Sequence, residues 1–416
     1  MANNSPTPTV KPKRKRGSVW WRLHQFAGLQ FSLFLSFVLL TGTFAVISNE
    51  IDWAMRPAMW VSPVTTSERA SWGTVLDSAQ AQSPDASILS VNAPIHSAAA
   101  FDVVVEDDRG LHHIYVHPLT AEVTGEGAWI SVQRFLRDSH RRIMIFETFM
   151  GVRIGILLVC LTSVYLLVNL ITSFWIYKKW WRGFLRLPKG RDLRSYIGDL
   201  HRWMGLWSLW FVIVMCYTGL WYLQAEIVDY GPLPRTSVEN TAASSDQGPS
   251  TLGAALDVAI ANSQKVHLDF RLENIYLSGL QTDSPVFDIQ GQTDRAILVD
   301  GRANSVLADA NTGELLRASD ASSFDLISRL RVANNPLHFG KFAGYWSKWI
   351  YFFSGLLLSA LAISGALVYV LRLANKEKTE IGFRYFAKQA WNGMGLARWP
   401  ALALTLFSFV ALPFLY

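Results

Sequence analysis

Leu23-His24-Gln25-Phe26-Ala27-Gly28-Leu29 and Leu200-His201-Arg202-Trp203-Met204-Gly205-Leu206 decide how this chain is read. Each opens an apolar stretch. Thr41-Gly42, further along the first, returns at the same offset as Thr218-Gly219 in the second. A histidine at the edge of a membrane segment is costly unless it has a task, so two in equivalent positions point to a shared ligand.

The rest of the composition agrees with a membrane setting. Half of the 416 residues are hydrophobic and 17 are Trp, a bilayer-protein composition. Four apolar runs, 23–47, 154–177, 203–223 and 349–371, each reach the roughly 20 residues that cross a hydrocarbon core. A fifth run, 399–414, is shorter and holds Pro400 and Pro413. Pro400 suits a first helical turn, so 399–416 is read as a fifth span, with an interfacial helix as the alternative. The basic stretch Lys11-Pro12-Lys13-Arg14-Lys15-Arg16 resembles the start of a secretory signal. The apolar run behind it is too long and lacks a small-residue cleavage site, so it reads as an uncleaved anchor.

Charge orients the spans. Segments 1–23, 178–202 and 372–398 hold 6, 8 and 6 Lys/Arg against 0, 2 and 2 Asp/Glu. The remainder holds 18 Lys/Arg against 28 acids. Basic excess on alternate sides places those three segments, and the N-terminus, in the cytoplasm. The net charge of +6 then reports topology, and 17% charged residues is too few for a nucleic-acid-binding domain. The two cysteines, Cys160 and Cys216, both fall within spans and make no disulfide framework. Without a Cys-x-x-Cys-His, no haem is attached covalently.

The expected order is a basic tail (1–19), a first span (20–49), an outside α+β domain (50–150) and a second span (151–177). A cytoplasmic loop (178–200), a third span (201–223) and a second outside domain (224–345) follow. A fourth span (346–371), a cytoplasmic segment (372–398) and the last run complete it. Residues 231–250, rich in Pro, Ser, Ala and Gly, read as a mobile linker. Ser71-Trp72-Gly73-Thr74 and Thr251-Leu252-Gly253-Ala254 open matching helices. Alternation predicts strands near 101–106 and 112–116, and near 272–277, 286–290 and 296–300. Span, outside domain, span thus occurs twice in the same orientation, a parallel internal repeat.

Two further histidines, His140 and His338, precede spans 2 and 4 on the outer side. They form a second pair across the repeat, alongside His24 and His201. A two-fold arrangement can set each pair face to face at opposite membrane surfaces; another pairing of the four histidines stays open. Haem iron accepts two axial imidazoles, so four histidines suit two haems. Gly28 and Gly205, four residues after the inner histidines, lie on the same helix face and leave room for a macrocycle. Arg22, Arg202, Arg141 and Arg142 are placed to pair with propionates. Pairs at opposite edges of a ~30 Å core leave the irons far apart for one electron hop. His112, His113 and His117 share a strand region that either binds a metal-bearing substrate or is a solvated face. His96 and His267 are assigned to domain surfaces. No nucleotide-binding, phosphate-binding or hydrolase motif occurs.

These residues resemble the PepSY-associated transmembrane proteins. The resemblance rests on Leu-His-x-x-x-Gly-Leu at His24 and His201, the two Thr-Gly pairs, Leu337-His338-Phe339-Gly340, and the turn Asn311-Thr312-Gly313-Glu314. It covers about residues 18–375. Departures are Ala121, where the first turn usually has glycine, and a second span without its Thr-Gly pair. The resemblance implies a bacterial inner-membrane protein with two PepSY-like periplasmic domains and b-type haems. It extends to siderophore-iron reductases of the ferrioxamine-utilisation, FoxB-like type. The expected activity is reduction of a periplasmic ferric siderophore or other Fe(III) chelate, with electrons from quinol or a cytoplasmic reductase. The alternative is a non-enzymatic membrane-anchored module that binds or regulates a periplasmic partner.

Overall fold

The computed structural model describes residues 19–238, 249–280, 282 and 284–411. The basic tail up to residue 18, residues 239–248 of the linker and 412–416 of the last run lie outside the described residues.

The first run folds as α1 (Val19–Leu29) and α2 (Ser32–Ala45), bent 61° at Gln30-Phe31. A short α3 (Ser48–Met55) follows. The segment after it contributes α4 (Trp72–Gln82), β1 (Ser87–Asn92), β2 (Phe101–Asp107), β3 (Gly110–Val116), β4 (Val123–Ala128) and α5 (Val132–Arg142). A tiny hairpin, β5 (Thr148–Phe149) and β6 (Val152–Arg153), leads into α6 (Ile154–Cys160) and α7 (Thr162–Ile176). The second half opens with α8 (Leu193–Trp207) and α9 (Leu209–Ile227), bent 63° at Ser208. In the repeat, Ser208 is the counterpart of Phe31, as His201 is of His24, so both halves break at one position. Next come β7 (Thr236–Ser237), α10 (Leu252–Val266), β8 (Arg271–Ser278), β9 (Val286–Gln292), β10 (Val306–Asp309) and β11 (Leu315–Ala318). The chain ends with α11 (Leu326–Phe339), α12 (Gly344–Glu377), α13 (Phe383–Gly393) and α14 (Arg398–Val410).

This is a membrane protein with two helical stretches long and apolar enough to cross, Ile154–Ile176 (α6 with α7) and Gly344–Glu377. Three bent pairs raise the number to as many as five among the described residues. The third span starts earlier than 201, because Asp192 caps α8 by accepting from Ser195 N. The fifth run is described only as far as residue 411 and, joined to the helix before it, is one of the three bent pairs that could make a span. Its described part, α14, has 13 residues and about 20 Å of length, short of the ~30 Å core. It follows α13 through a 111° turn and packs Ala401 against Phe34 and Val38 of α2.

The two segments expected as separate outside domains share one sheet. Its order is β4-β3-β2-β1-β8-β9-β10-β11-β7, joined where β1 pairs antiparallel with β8, Val91 opposite Ile275. One apolar core runs beneath both halves, including Leu76, Phe101, Leu256 and Phe287. Over it, α4 and α10 exchange caps. Asp257 accepts from Ser71 Oγ (2.6 Å) and Gly73 N (2.8 Å), while Asp77 accepts from Thr251 Oγ1 (2.8 Å) and Gly253 N (2.9 Å).

The strand expected over 296–300 is absent. Ala296 and Val299 turn instead into a satellite cluster with Ala303 and Val332, Leu298 takes positive φ, and Asp300 caps a 3-10 turn at Gly301–Asn304. Part of the linker is bound: β7 pairs with β11, and Arg235 meets Asp288 at 3.1 Å.

Candidate functional site: two histidine pairs

His24 on α1 and His201 on α8 face one another with ring centroids 6.5 Å apart and planes at 82°. His140, at the end of α5, and His338, at the end of α11, lie 6.0 Å apart with planes at 28°. Each pair takes one histidine from each half of the chain. Two imidazoles opposed across a metal at a bond length of about 2 Å have centroids about 6 Å apart, the spacing seen in both pairs.

The second nitrogen of every ring is anchored. His24 Nδ1 lies 2.9 Å from Thr172 Oγ1, His201 Nδ1 2.9 Å from Ser364 Oγ, and His338 Nδ1 2.8 Å from Thr218 Oγ1. These hydroxyls already donate to the carbonyls of Val168, Leu361 and Val214. They can therefore only accept from the rings. His140 Nδ1 donates to the Val38 carbonyl at 2.8 Å. All four rings thus carry hydrogen on Nδ1 and keep a free lone pair on Nε2, the arrangement that orients a metal-ligating histidine. On the sheet side, burial holds His140 below its ordinary value, and burial followed by the nearness of His140 pushes His338 down to about 3. Both are neutral, as ligands must be.

The recurring Thr-Gly motif divides its work. Thr218 accepts from His338, whereas Gly42 makes space for His140: a Cβ there would lie 2.5 Å from His140 Cε1. Gly28 and Gly205 meet nothing closer than 3.4 Å and 3.7 Å, leaving room beside the other pair. Two buried polar groups lie close by without a hydrogen bond of good geometry. Asn169 Oδ1 faces the Gly28 position, and the Asn334 amide lies one turn before His338 on α11.

The two pairs are closer along the bundle than opposite membrane edges would set them. Continuous α12 serves as a ruler. Gly355 and Ser359 meet Thr43, next to Gly42, while Ser364 and Gly365 meet His201. The intervening stretch of α12, roughly 5–10 residues, rises about 8–15 Å.

A polar path leaves the sheet-side pair. Tyr222 sets its ring edge-on to His338 at 5.2 Å and donates to Asn335 Oδ1 at 2.5 Å. Asn335 Nδ2 donates to Asp300 (2.7 Å), which pairs with Arg302 (2.6 Å). The first half has Ala45 where the repeat would place this tyrosine.

The sequence matches the family model for the PepSY-associated TM region over residues 21–372. The chain belongs to the PepSY-associated transmembrane family. No curated protein matches it.

The other candidates of this PepSY-associated protein fare differently. Arg142 is drawn toward Asp138 (3.6 Å), and Arg202 pairs with Asp199. Arg22 and Arg141 make no ion pair among the described residues. Burial, then crowding by Arg142, Arg137 and Arg153, pushes Arg141 down to about 10. His113 bonds Asp102 at 2.7 Å and stacks on Trp129, His112 is buried against Gly110 O, and His117 accepts from Leu119 N. His267, expected at the surface, is 1% exposed, with Nε2 3.1 Å from the Ser319 carbonyl. His96 is half-buried against Trp53. Thr172, Ser364 and Gly42 make contacts with the histidines that sequence reasoning missed. The Thr-Gly motif signalled one of them. A lone hydroxyl within an apolar span usually only bonds its own helix, so it gave no signal.

Proposed function

We propose that this protein is a di-haem b electron-transfer protein of the bacterial inner membrane that reduces a ferric siderophore or related Fe(III) chelate outside. The observation that carries the reading is the pair of opposed imidazole couples, each ring with Nδ1 anchored and Nε2 free. Among the described residues no group of three or more His, Cys, Asp or Glu could hold a metal ion. Two axial nitrogens per site therefore suit a metal whose other positions a macrocycle fills. The room beside Gly28 and Gly205 and the orphaned Asn169 Oδ1 facing Gly28 fit such a group.

A haem at each pair would supply one-electron storage. The protein's own part is to hold, insulate and connect. Thr172, Ser364, Thr218 and the Val38 carbonyl fix ring orientation, and Arg141 offers an unpaired cation to a propionate. With four core spans in two parallel span–domain–span units and the N-terminus in the cytoplasm, the sheet lies in the periplasm. The path Tyr222–Asn335–Asp300–Arg302 then ties the outer pair to the sheet, where a chelate is met. Fe(II) binds hard oxygen chelators far less tightly than Fe(III), so reduction releases it.

The test is a pyridine-haem assay followed by oriented proteoliposomes. Two haems per chain are expected. His140→Ala or His338→Ala should remove one, and His24→Ala or His201→Ala the other. Dithionite-reduced protein should be reoxidised by an impermeant ferric siderophore added on the sheet side, and much more slowly after His338→Ala. One haem or none sinks the paired reading, and a protein without chromophore returns the choice to a partner-binding module. Reoxidation from the opposite face alone reverses the polarity.

A further inference from the structure

On the far side of the bundle from the sheet, α8 presents two faces. His201 lies on one. Asp199, Trp203 and Leu206 share the opposite one, where with Tyr177, Arg186 and Leu187 they line a cleft of about 180 Å³. Gly183 keeps it open, because a Cβ there would come within 2.4 Å of Leu206 Cδ1 and 2.7 Å of the Tyr177 hydroxyl. At its polar end, Asp199 accepts from Arg202 and, at 3.2 Å, from Lys189 N. Arg186 has no ion pair among the described residues.

The cleft sits within an aromatic belt. Trp203, Trp207, Phe184, Trp180 and Trp181 follow one another at 6.0–6.2 Å, and the nearby Leu185 is 92% exposed. Trp-rich belts mark headgroup depth, so the cleft is reached from lipid. Its volume is below the ~300 Å³ at which whole-cofactor pockets begin. It suits one ring with hydroxyls, and a dinucleotide would leave its phosphates with a single free guanidinium.

We propose that this cleft binds the head group of a membrane quinol and is the electron entry port for the His24/His201 pair. This rests on the di-haem reading. Trp203 and Leu206 cover the ring, while Asp199 accepts a hydroxyl proton and passes it to water at the cleft mouth. Each quinol becomes a quinone, releasing two protons and two electrons. The electrons cross the ~10 Å width of α8 one at a time, and two ferric chelates are reduced.

The experiment uses the full protein in liposomes with a short-chain ubiquinol as probe, following the reduced α band. Wild type should be reduced by quinol. Asp199→Asn should slow that reduction about 100-fold, the range of a lost proton acceptor, with dithionite reduction and haem content unchanged. Trp203→Leu should raise the quinol concentration for half-maximal rate about tenfold. Unchanged quinol kinetics in both variants, or reduction only by a soluble reductase, overturns the proposal. An azido-quinone photolabel separates the two readings, because it needs no haem. In His201→Ala protein it should mark peptides spanning 177–206, and labelling elsewhere overturns the cleft even if both haems are present.

Discussion

At the residue scale the sharpest feature is the fit of His140 into the space left by Gly42. Gly42→Ala puts a methyl 2.5 Å from the ring, which must move away from the Val38 carbonyl. On the di-haem reading proposed above, the expected outcome is loss of the sheet-side haem while the other stays. A variant that keeps both in the pyridine-haem assay refutes the tight fit. Sequence reading found this histidine and the motif at residues 41–42, but not that one fills the space of the other, because α5 and α2 are distant in the chain. His267 gives a second prediction, on pH. Burial is the main cause holding it below its ordinary value, against Asp320, which raises it. The unfolded chain therefore takes up this proton before the folded one. The stability involved is present above about pH 6.5 and is lost as pH falls toward the folded value. Melting temperatures at about pH 7.5 and pH 5.5 should differ less for His267→Gln than for wild type. An identical fall would show that His267 contributes nothing.

At the element scale, α4 and α10 hold together by backbone proximity at two glycines. A Cβ on Gly253 would lie 2.2 Å from Gly73 O, and one on Gly73 2.1 Å from Gly253 O. Gly253→Ala should therefore lower stability by about 1–3 kcal/mol, the usual range for overpacking, seen as an earlier thermal transition. No change would mean that the helices can slide apart freely. Both helices were legible in the sequence through their Ser71 and Thr251 caps, whereas their exchange of Asp77 and Asp257 was not. A capping signal tells where a helix begins, and the partner's carboxylate comes from the other half of the chain. The strand misread at 296–300 failed for a related reason. Its apolar residues serve a cluster at spacings of three and four, which alternation cannot distinguish over so short a run.

At the scale of the whole molecule, each histidine pair is completed across the two halves, His24 with His201 and His140 with His338. Halves split between residues 192 and 193 should each bind no bis-histidine haem alone and regain it when co-expressed, as read by the split α band. A half that holds haem unaided would refute assembly across the halves. The pairing itself was anticipated from the repeat; the approach of the two pairs along α12 was not, and the helix bends at Phe31 and Ser208 leave no mark in hydropathy. The single sheet was equally hidden, since β1 and β8 read as ordinary strands of separate domains. Yet that β1–β8 seam sets a timetable for manufacture. The ribosome finishes β1 roughly 10–40 s before it reaches β8 at ordinary elongation rates. Throughout that interval the newborn first half presents a bare strand edge, a template for mispairing with neighbouring nascent chains. Cells making this protein quickly should therefore depend on an export chaperone to shield that edge until the second half arrives.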